Sequence, residues 1–330
     1  MKIKKQHIAI LIILCLTLSA CSVSKVSIAC KNNEEIPAEI SENVHSIHSD
    51  FISAISSGNK DDAIAIMGDI IDVENTDWLD DLLELAVNKP VTWNEHYVQT
   101  GSNGDFSRTI IPWLGENQEY FFALEAFANE MYVIYSTVTY PEITYLLSNV
   151  YYLVDDTWNM RNCYLTAYKF HDKNTLELIA KAQELEKADY ILPAKIYAVA
   201  AANVFNPGGS IIYPNQEKLK EEIDRILSAN EELFANMPTI SYEDKPLEIF
   251  GFDIATTKTE GISIYISYVS DTPLTDTEEL SKEANAIVAE IDNYFPGTTD
   301  TFDYILVRAF SDVPIDPEKM YQQYTTIVEV

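Results

Sequence analysis

Residues 131–170 read MYVIYSTVTY-PE-ITYLLSNVYYLV-DD-TWNMRNCYLTAYKF. Three long runs rich in Tyr, Val and Ile are separated by two-residue breaks, Pro141-Glu142 and Asp155-Asp156. Aromatic and β-branched residues suit a pleated, half-buried surface. A short polar break between two such runs marks a hairpin turn. A fourth run, 120–128, precedes them and ends at Asn129-Glu130. The four together predict an antiparallel meander of long strands. In the last run Trp158, Met160, Tyr164, Tyr168 and Phe170 fall on one face, and Asn159, Arg161 and Lys169 on the other.

Upstream the period changes. Ile40, Val44, Ile47, Phe51 and Ile55 recur at helical spacing and form one apolar stripe, which predicts a helix from Glu39. Ser57-Gly58-Asn59 stops it. Two shorter helices are predicted over 61–67 and 77–87, and 91–119 lacks a clean strand pattern. Residues 21–38 are polar and aperiodic, hold Pro37, and read as a tether.

Helices followed by a bent antiparallel meander resemble the nuclear-transport-factor-two-like cone. The residues that carry the resemblance are Phe51-Ile52-Ser53-Ala54-Ile55, Gly58-Asn59-Lys60-Asp61-Asp62-Ala63, and the late strand Val154-Asp155-Asp156-Thr157-Trp158-Asn159-Met160. The resemblance covers residues 39–172 and implies a concave sheet face. In cone enzymes His, Asp and Tyr inside that concavity do acid–base work.

Downstream, 173–239 reads as a helical segment. Helices are predicted over 175–190, 192–205 and 215–237, with Pro193 placed for a first turn. Lys218/Glu222, Lys220/Asp224 and Glu221/Arg225 are surface pairs at i,i+4. Residues 240–330 read as a separate ββαββ domain. Ile262, Ile264, Ile266 and Tyr268 alternate with Ser263, Tyr265 and Ser267. Thr275 with Glu278 suggests a capping box for a helix over 276–295. Residues 302–310 are apolar on both faces, which places them centrally, and 321–330 supplies an edge. The expected class is α+β: N-terminal helices on a bent meander, a helical middle, and a C-terminal ββαββ domain.

The extreme N-terminus carries a second resemblance. Lys2, Lys4 and Lys5 precede a short apolar stretch from Ile8 to Leu18, and Leu18-Ser19-Ala20-Cys21 follows. This resembles the signal peptide and lipobox of bacterial lipoproteins. The apolar stretch is shorter than the roughly 20 residues a membrane span needs. The resemblance implies removal of residues 1–20 and a diacylglyceryl thioether on Cys21. It also implies residence on the extracytoplasmic face of the cell membrane.

The chain holds 22 basic and 52 acidic residues. Loss of residues 1–20 leaves 19 bases and a net charge of −33. Such a surface repels phosphate backbones, which argues against nucleic acid, and anionic headgroups, so a lipid must supply the membrane attachment. A basic peptide or basic protein face remains as a partner, and net charge also keeps an exported protein soluble.

Little in the chain points to chemistry. Cys30 and Cys163 are the cysteines left beyond the lipobox, and neither belongs to a C-x-x-C motif. An oxidising compartment permits their pairing, but a tether cysteine and a strand thiol favour no bond. His45 and His48 stand at i,i+3 beside the apolar stripe, where they are expected to face solvent without a third ligand. His171-Asp172 sits at a strand end. Asp72-Val73-Glu74-Asn75-Thr76-Asp77 lacks the glycine a calcium loop needs. No metal, cofactor or catalytic residue is expected. Tyr is abundant, and Tyr132, Tyr140, Trp158, Tyr164 and Tyr168 are the residues expected to line any pocket on the concave face. These readings point to a lipid-anchored, non-catalytic binding or interaction module of unassigned ligand. The alternatives are a cone-type enzyme, isomerase- or cyclase-like, and the substrate-binding lipoprotein of a transporter.

Overall fold

The computed structural model describes residues 29–31, 38–67, 79–80, 82–83, 93–99, 107–112, 121–126, 130–140, 143–205, 211–213, 215–235, 237–257, 261–314 and 321–330. The class is α+β. The described chain divides into two compact units. One takes in the described residues up to Pro112 with those of Phe122–Ser136 and Ser148–Tyr164; the other takes in Thr137–Leu147 and Leu165–Val330.

The first unit opens on strand β1 (Ala29–Lys31), which pairs antiparallel with β2 (Trp93–Gln99), Cys30 opposite Val98. The segment read as a tether therefore contains a strand. It covers the edge of β2, whose N–H and C=O groups would otherwise stand unpaired. Helix α1 (Ala38–Ser56) follows. Its buried face is Val44, His48, Phe51, Ala54 and Ile55, with Ile40 and Ile47 half-buried. The expected stripe is thus rotated so that His48 enters it. The helix ends as a Schellman motif: Asn59 N donates to Ala54 O and Gly58 N to Ile55 O, with Gly58 at φ +70°. Helix α2 (Lys60–Met67) follows at once, and Leu79, Leu82 and Leu83 are buried in helical stretches.

Strands β3 (Ser107–Pro112) and β4 (Phe121–Ala126) belong to a separate small sheet. The run at 120–128 is therefore a strand but not a member of the meander. The meander consists of β5 (Glu130–Tyr140), β6 (Ile143–Val154) and β7 (Thr157–Phe170), all within a residue of expectation. The order is β1-β2-β5-β6-β7, and β2 pairs antiparallel with β5 from Trp93 opposite Ser136 to Gln99 opposite Glu130. Asp155 and Asp156 both take positive φ, 50° and 61°. That is the twist a two-residue hairpin turn needs between right-twisted strands.

Within the second unit the end of β7 turns into β8 (Lys173–Asn174), Phe170 opposite Lys173. Helix α3 (Thr175–Lys187) begins with a capping box that the sequence reading missed. Asn174 Oδ1 accepts from Leu176 N and Glu177 N, and Asn174 N donates to the Glu177 carboxylate at 2.8 Å. Helix α4 (Ile191–Val204) follows with Pro193 in its first turn, then β9 (Ile211–Ile212). The expected long third helix is two, α5 (Gln216–Ser228) and α6 (Glu231–Ala235), broken at Asn230 with φ +56°. Lys220 pairs with Asp224 as expected. Arg225 does not use Glu221; it grips Glu186 of α3 with both terminal nitrogens and also reaches Glu222. A fork-to-carboxylate match on a neighbouring helix is the better geometry.

A five-stranded sheet completes this unit in the order β10 (Thr239–Tyr242), β11 (Lys245–Thr257), β12 (Gly261–Val269), β13 (Tyr304–Phe310), β14 (Gln323–Glu329). Strands β12 and β13 are parallel and the other neighbours antiparallel. Helix α7 (Thr277–Ile291) lies in the β12–β13 connection, followed by the single turn α8 (Thr298–Thr301). The cap of α7 is Asp276, accepting from Glu279 N, and not the expected Thr275. Beyond the expected ββαββ order, the sheet has one more strand, β10, joined to β11 through Glu243 and Asp244, both at positive φ.

The sequence predicts a join near 237–245; the structure has none. Leu192 and Ile196 of α4 share one buried cluster with Ile240 and Leu247, with Ile264 and Ile266 of β12, and with Leu280, Ile287 and Ile291 of α7. Phe234 stacks on Phe295 at 5.7 Å, and an added Cβ at Gly297 would run into the Tyr190 ring. Each fully buried Leu or Ile stabilises by roughly 1.5–3 kcal/mol relative to exposure. The helical middle and the C-terminal sheet are therefore one unit.

Candidate functional site

In the first unit the apolar face of α1 carries His48, wholly buried, four residues after Val44 and three before Phe51. Its Nδ1 is hydrogen-bonded to the Tyr151 hydroxyl of β6 at 2.8 Å, and the rings meet edge-to-face. Burial, with His45 adding to it, lowers the His48 pKa to about 4. Burial likewise pushes the Tyr151 phenol well above its usual range. Both groups are neutral at pH 7, which is the protonation pattern of a base beside a weak acid. One strand position pair away, Asn149 Nδ2 donates to Cys163 Sγ at 3.3 Å. Desolvation pushes the Cys163 thiol up to about 12, so it is not a nucleophile at physiological pH.

The expected site residues fall apart by location. Tyr132 is fully buried, with Trp158 and His45 each edge-to-face to it at 6.3 Å. These rings are packed as core. Tyr168 is buried in the second unit. The side chains of Tyr140, Tyr164 and His96, the Asp72–Asp77 loop, and Cys21 with its signal lie outside the described residues. His48 does not face solvent as expected. Among the described residues no three metal-ligating side chains come together. Cys30 and Cys163 stand on β1 and β7, four strand spacings of about 4.8 Å apart along the sheet. A disulfide needs Cα atoms within about 7 Å.

The second unit holds a small cavity of about 130 Å³. The turn from β7 to β8 supplies His171, at φ +54°, and Lys173. Helix α4 supplies Tyr197, stacked on Phe302 with ring planes 9° apart. Ser263 comes from β12, and Thr301 and Asp303 from the α8–β13 link. The same unit buries Glu283 of α7, which accepts from the hydroxyls of Tyr268 (2.9 Å), Ser270 (2.7 Å) and Thr272 (2.6 Å). Sequence reading missed both constellations. Glu283 follows Leu280 by three residues and precedes Ile287 by four, so a carboxylate on an apolar stripe was its available signal. His48–Tyr151 had none, being 103 residues apart.

No protein-family model matches the chain, and no curated protein or solved structure is significantly similar to it. Among the described residues no helix is long and apolar enough to cross a membrane.

Proposed function

We propose that the chain is a lipoprotein, anchored through Cys21 on the extracytoplasmic face of the membrane, that serves as a non-catalytic binding or interaction module. The observation that carries this reading is the ordered run of Lys2, Lys4 and Lys5, an apolar stretch, and Leu18-Ser19-Ala20-Cys21. The buried groups support the absence of chemistry. A catalytic base must reach the proton it takes, and His48 is sealed between α1 and β6. The net charge of −30 favours a basic peptide or protein face as a macromolecular partner over nucleic acid.

The cone-type reading for residues 39–172 rests on helices α1 and α2 and on the β5–β6–β7 order. If that domain were an enzyme, the neutral His48–Tyr151 pair would be its acid–base couple, and His171 would not. The transporter alternative needs repeated parallel βα units in two lobes. Strands β12 and β13 are the one parallel pair among the registers described.

Metabolic labelling with a fatty-acid analogue tests the anchor. Wild type is expected to incorporate label, and Cys21→Ala to lose it and remain unprocessed. Equal labelling of both removes the lipoprotein reading.

A further inference from the structure

We propose that the cavity lined by His171, Lys173, Tyr197, Ser263, Thr301 and Asp303 binds a small zwitterion with one carboxylate and one ammonium, the size of a free amino acid. The inference rests on the binding-module reading and names its ligand class.

The cavity walls are held by regular structure. The pairings Phe170–Lys173 and Lys169–Asn174 fix the turn that carries His171 and Lys173, and the Asn174 capping box fixes it to α3. Tyr197 is held by its stack on Phe302. Ser263 is buried, and its hydroxyl donates to the Tyr304 carbonyl. Thr301 Oγ1 donates to Gly297 O at 2.6 Å. A site on such supports is preorganised, which lowers the ordering cost of binding.

Size narrows the class. A volume of about 130 Å³ is less than half of the roughly 300 Å³ at which drug-sized pockets begin. It excludes a nucleotide, a peptide or a sugar chain. It exceeds the roughly 10–15 Å³ that one water needs.

Charge narrows it further. Lys173 and Asp303 line the same cavity. Tyr197 lies within the electrostatic reach of both, which act on its phenol in opposite senses while burial raises its pKa. Lys173 is paired with Asp172 at 2.9 Å; the Asp172 carboxylate is largely exposed and the Lys173 side chain is about half-buried. A pair with a solvent-exposed carboxylate is only weakly held, so the ammonium can turn to a carboxylate inside the cavity for a stronger charge-assisted bond. A lone anion meets the field of a chain with net charge −30. A lone cation has no use for Lys173. A molecule with both charges and no net charge satisfies each wall without opposing that field.

The test uses the purified full-length chain in mild detergent, with glycine, L-serine and L-glutamine as probes and acetate, ethylamine and glucose as controls. At about 100-fold excess over its dissociation constant, at least one amino acid is expected to raise Tm by about 2 °C or more. Acetate and ethylamine are expected to leave it unchanged. By calorimetry Lys173→Met and Asp303→Asn each weaken binding at least about tenfold. Tyr197→Phe, which keeps the stack on Phe302, weakens it about threefold and serves as a further variant should either of the first two fail to fold. No response to any amino acid overturns the proposal. So does an equal response to acetate or glucose, or full affinity in the folded variants. Fatty-acid labelling of the same preparation reads the anchor separately. Labelled protein without an amino-acid response removes this site and leaves the anchored module standing.

Discussion

Glu283 in α7 and His48 in α1 each sit, fully buried, in the apolar face of a helix. Their surroundings differ. The Tyr268 hydroxyl of β12 and the Ser270 and Thr272 hydroxyls of the β12–α7 connection close around the Glu283 carboxylate, and Thr272 N completes the network by donating to Ser270 Oγ at 3.0 Å. Around His48 the polar groups are satisfied unevenly. Tyr151 meets the imidazole well, but the Asn149 amide turns to sulfur atoms of Cys163 and Met160. Asn149 Oδ1 and Ser148 Oγ are buried with no hydrogen-bond partner among the described residues. A buried polar group costs roughly 1–3 kcal/mol when it lacks a partner. A closed network therefore acts as a staple, whereas a cluster with open acceptors is a standing cost that aromatic packing around it must offset.

The largest expected effect breaks the staple. Glu283→Ala leaves the Tyr268, Ser270 and Thr272 hydroxyls without their shared acceptor and opens a cavity. Three orphaned hydroxyls at roughly 1–3 kcal/mol each predict a loss of about 4 kcal/mol in urea unfolding. Glu283→Gln keeps the shape and one acceptor, and is expected to lose about half as much. A loss below about 1 kcal/mol in the alanine variant would mean the network is ornamental, and the contrast between the two clusters would collapse.

The next effect locates what holds the first unit. Trp158 follows the Asp155-Asp156 turn, is 7 % exposed and meets Tyr132 edge-to-face. Trp158→Ala is expected to cost about 3–4 kcal/mol, the lower part of the range for a buried large aromatic. Trp158→Phe keeps the edge contact and should recover most of it. Chemical denaturation with a spectroscopic probe of the first unit checks both.

How much of this was legible depends on whether the deciding contact was local. The strands β5, β6 and β7, the turn at Asp155-Asp156 and the Gly58 stop are written in patterns a few residues long, and they were read to within a residue. The phase of α1 was not. His48 fits the apolar stripe only because Tyr151, on a distant strand, receives its ring nitrogen. The join at 237–245 failed similarly. Pro238 and Pro246 read locally as a linker, while Leu192 and Ile196 reach the β12 core only in three dimensions. Strand β4 looked like its neighbours because β-propensity reports a pleated surface, not which sheet it joins. The polar cavity in the second unit takes its walls from four chain segments more than twenty residues apart, so no motif announced it.

The pH dependence sharpens the comparison from the His48 side. Its folded pKa, about 4, lies below the ordinary value of 6.5 because burial disfavours the charged ring. Between those values the unfolded chain binds the extra proton and the native state does not. The histidine's contribution is thus fully present above pH 6.5 and is lost progressively as pH falls toward 4. The shift corresponds to roughly 3 kcal/mol at its full extent. Carboxylates titrate over part of the same range, so the readout is the difference between wild type and His48→Gln, which keeps a hydrogen bond to Tyr151 without the titration. The two stability curves are expected to converge with falling pH. Parallel curves from pH 7 to 4 would show that His48 is hydrated in the native state, and the cone-enzyme alternative would regain support.

The smallest expected effect is the most direct test of the difference between the clusters. Asn149→Leu replaces a buried amide by an apolar side chain of similar size. At Glu283 removal of the polar partner strands three donors; at Asn149 it removes an acceptor that has no donor and gives up only weak bonds to sulfur. Replacing such a group by an apolar one of the same shape is neutral or stabilising. The stability change is therefore expected to lie within about 1 kcal/mol, on either side of zero. Cys163 supplies the control. Desolvation holds its thiol up near 12 while the Asn149 amide pulls it down, so loss of the amide should leave the native thiol as slow toward a disulfide reagent at pH 8 as before, or slower. A loss above about 2 kcal/mol with a newly reactive thiol would show that Asn149 is a structural tie, and that the first unit is stapled in the same way as the second.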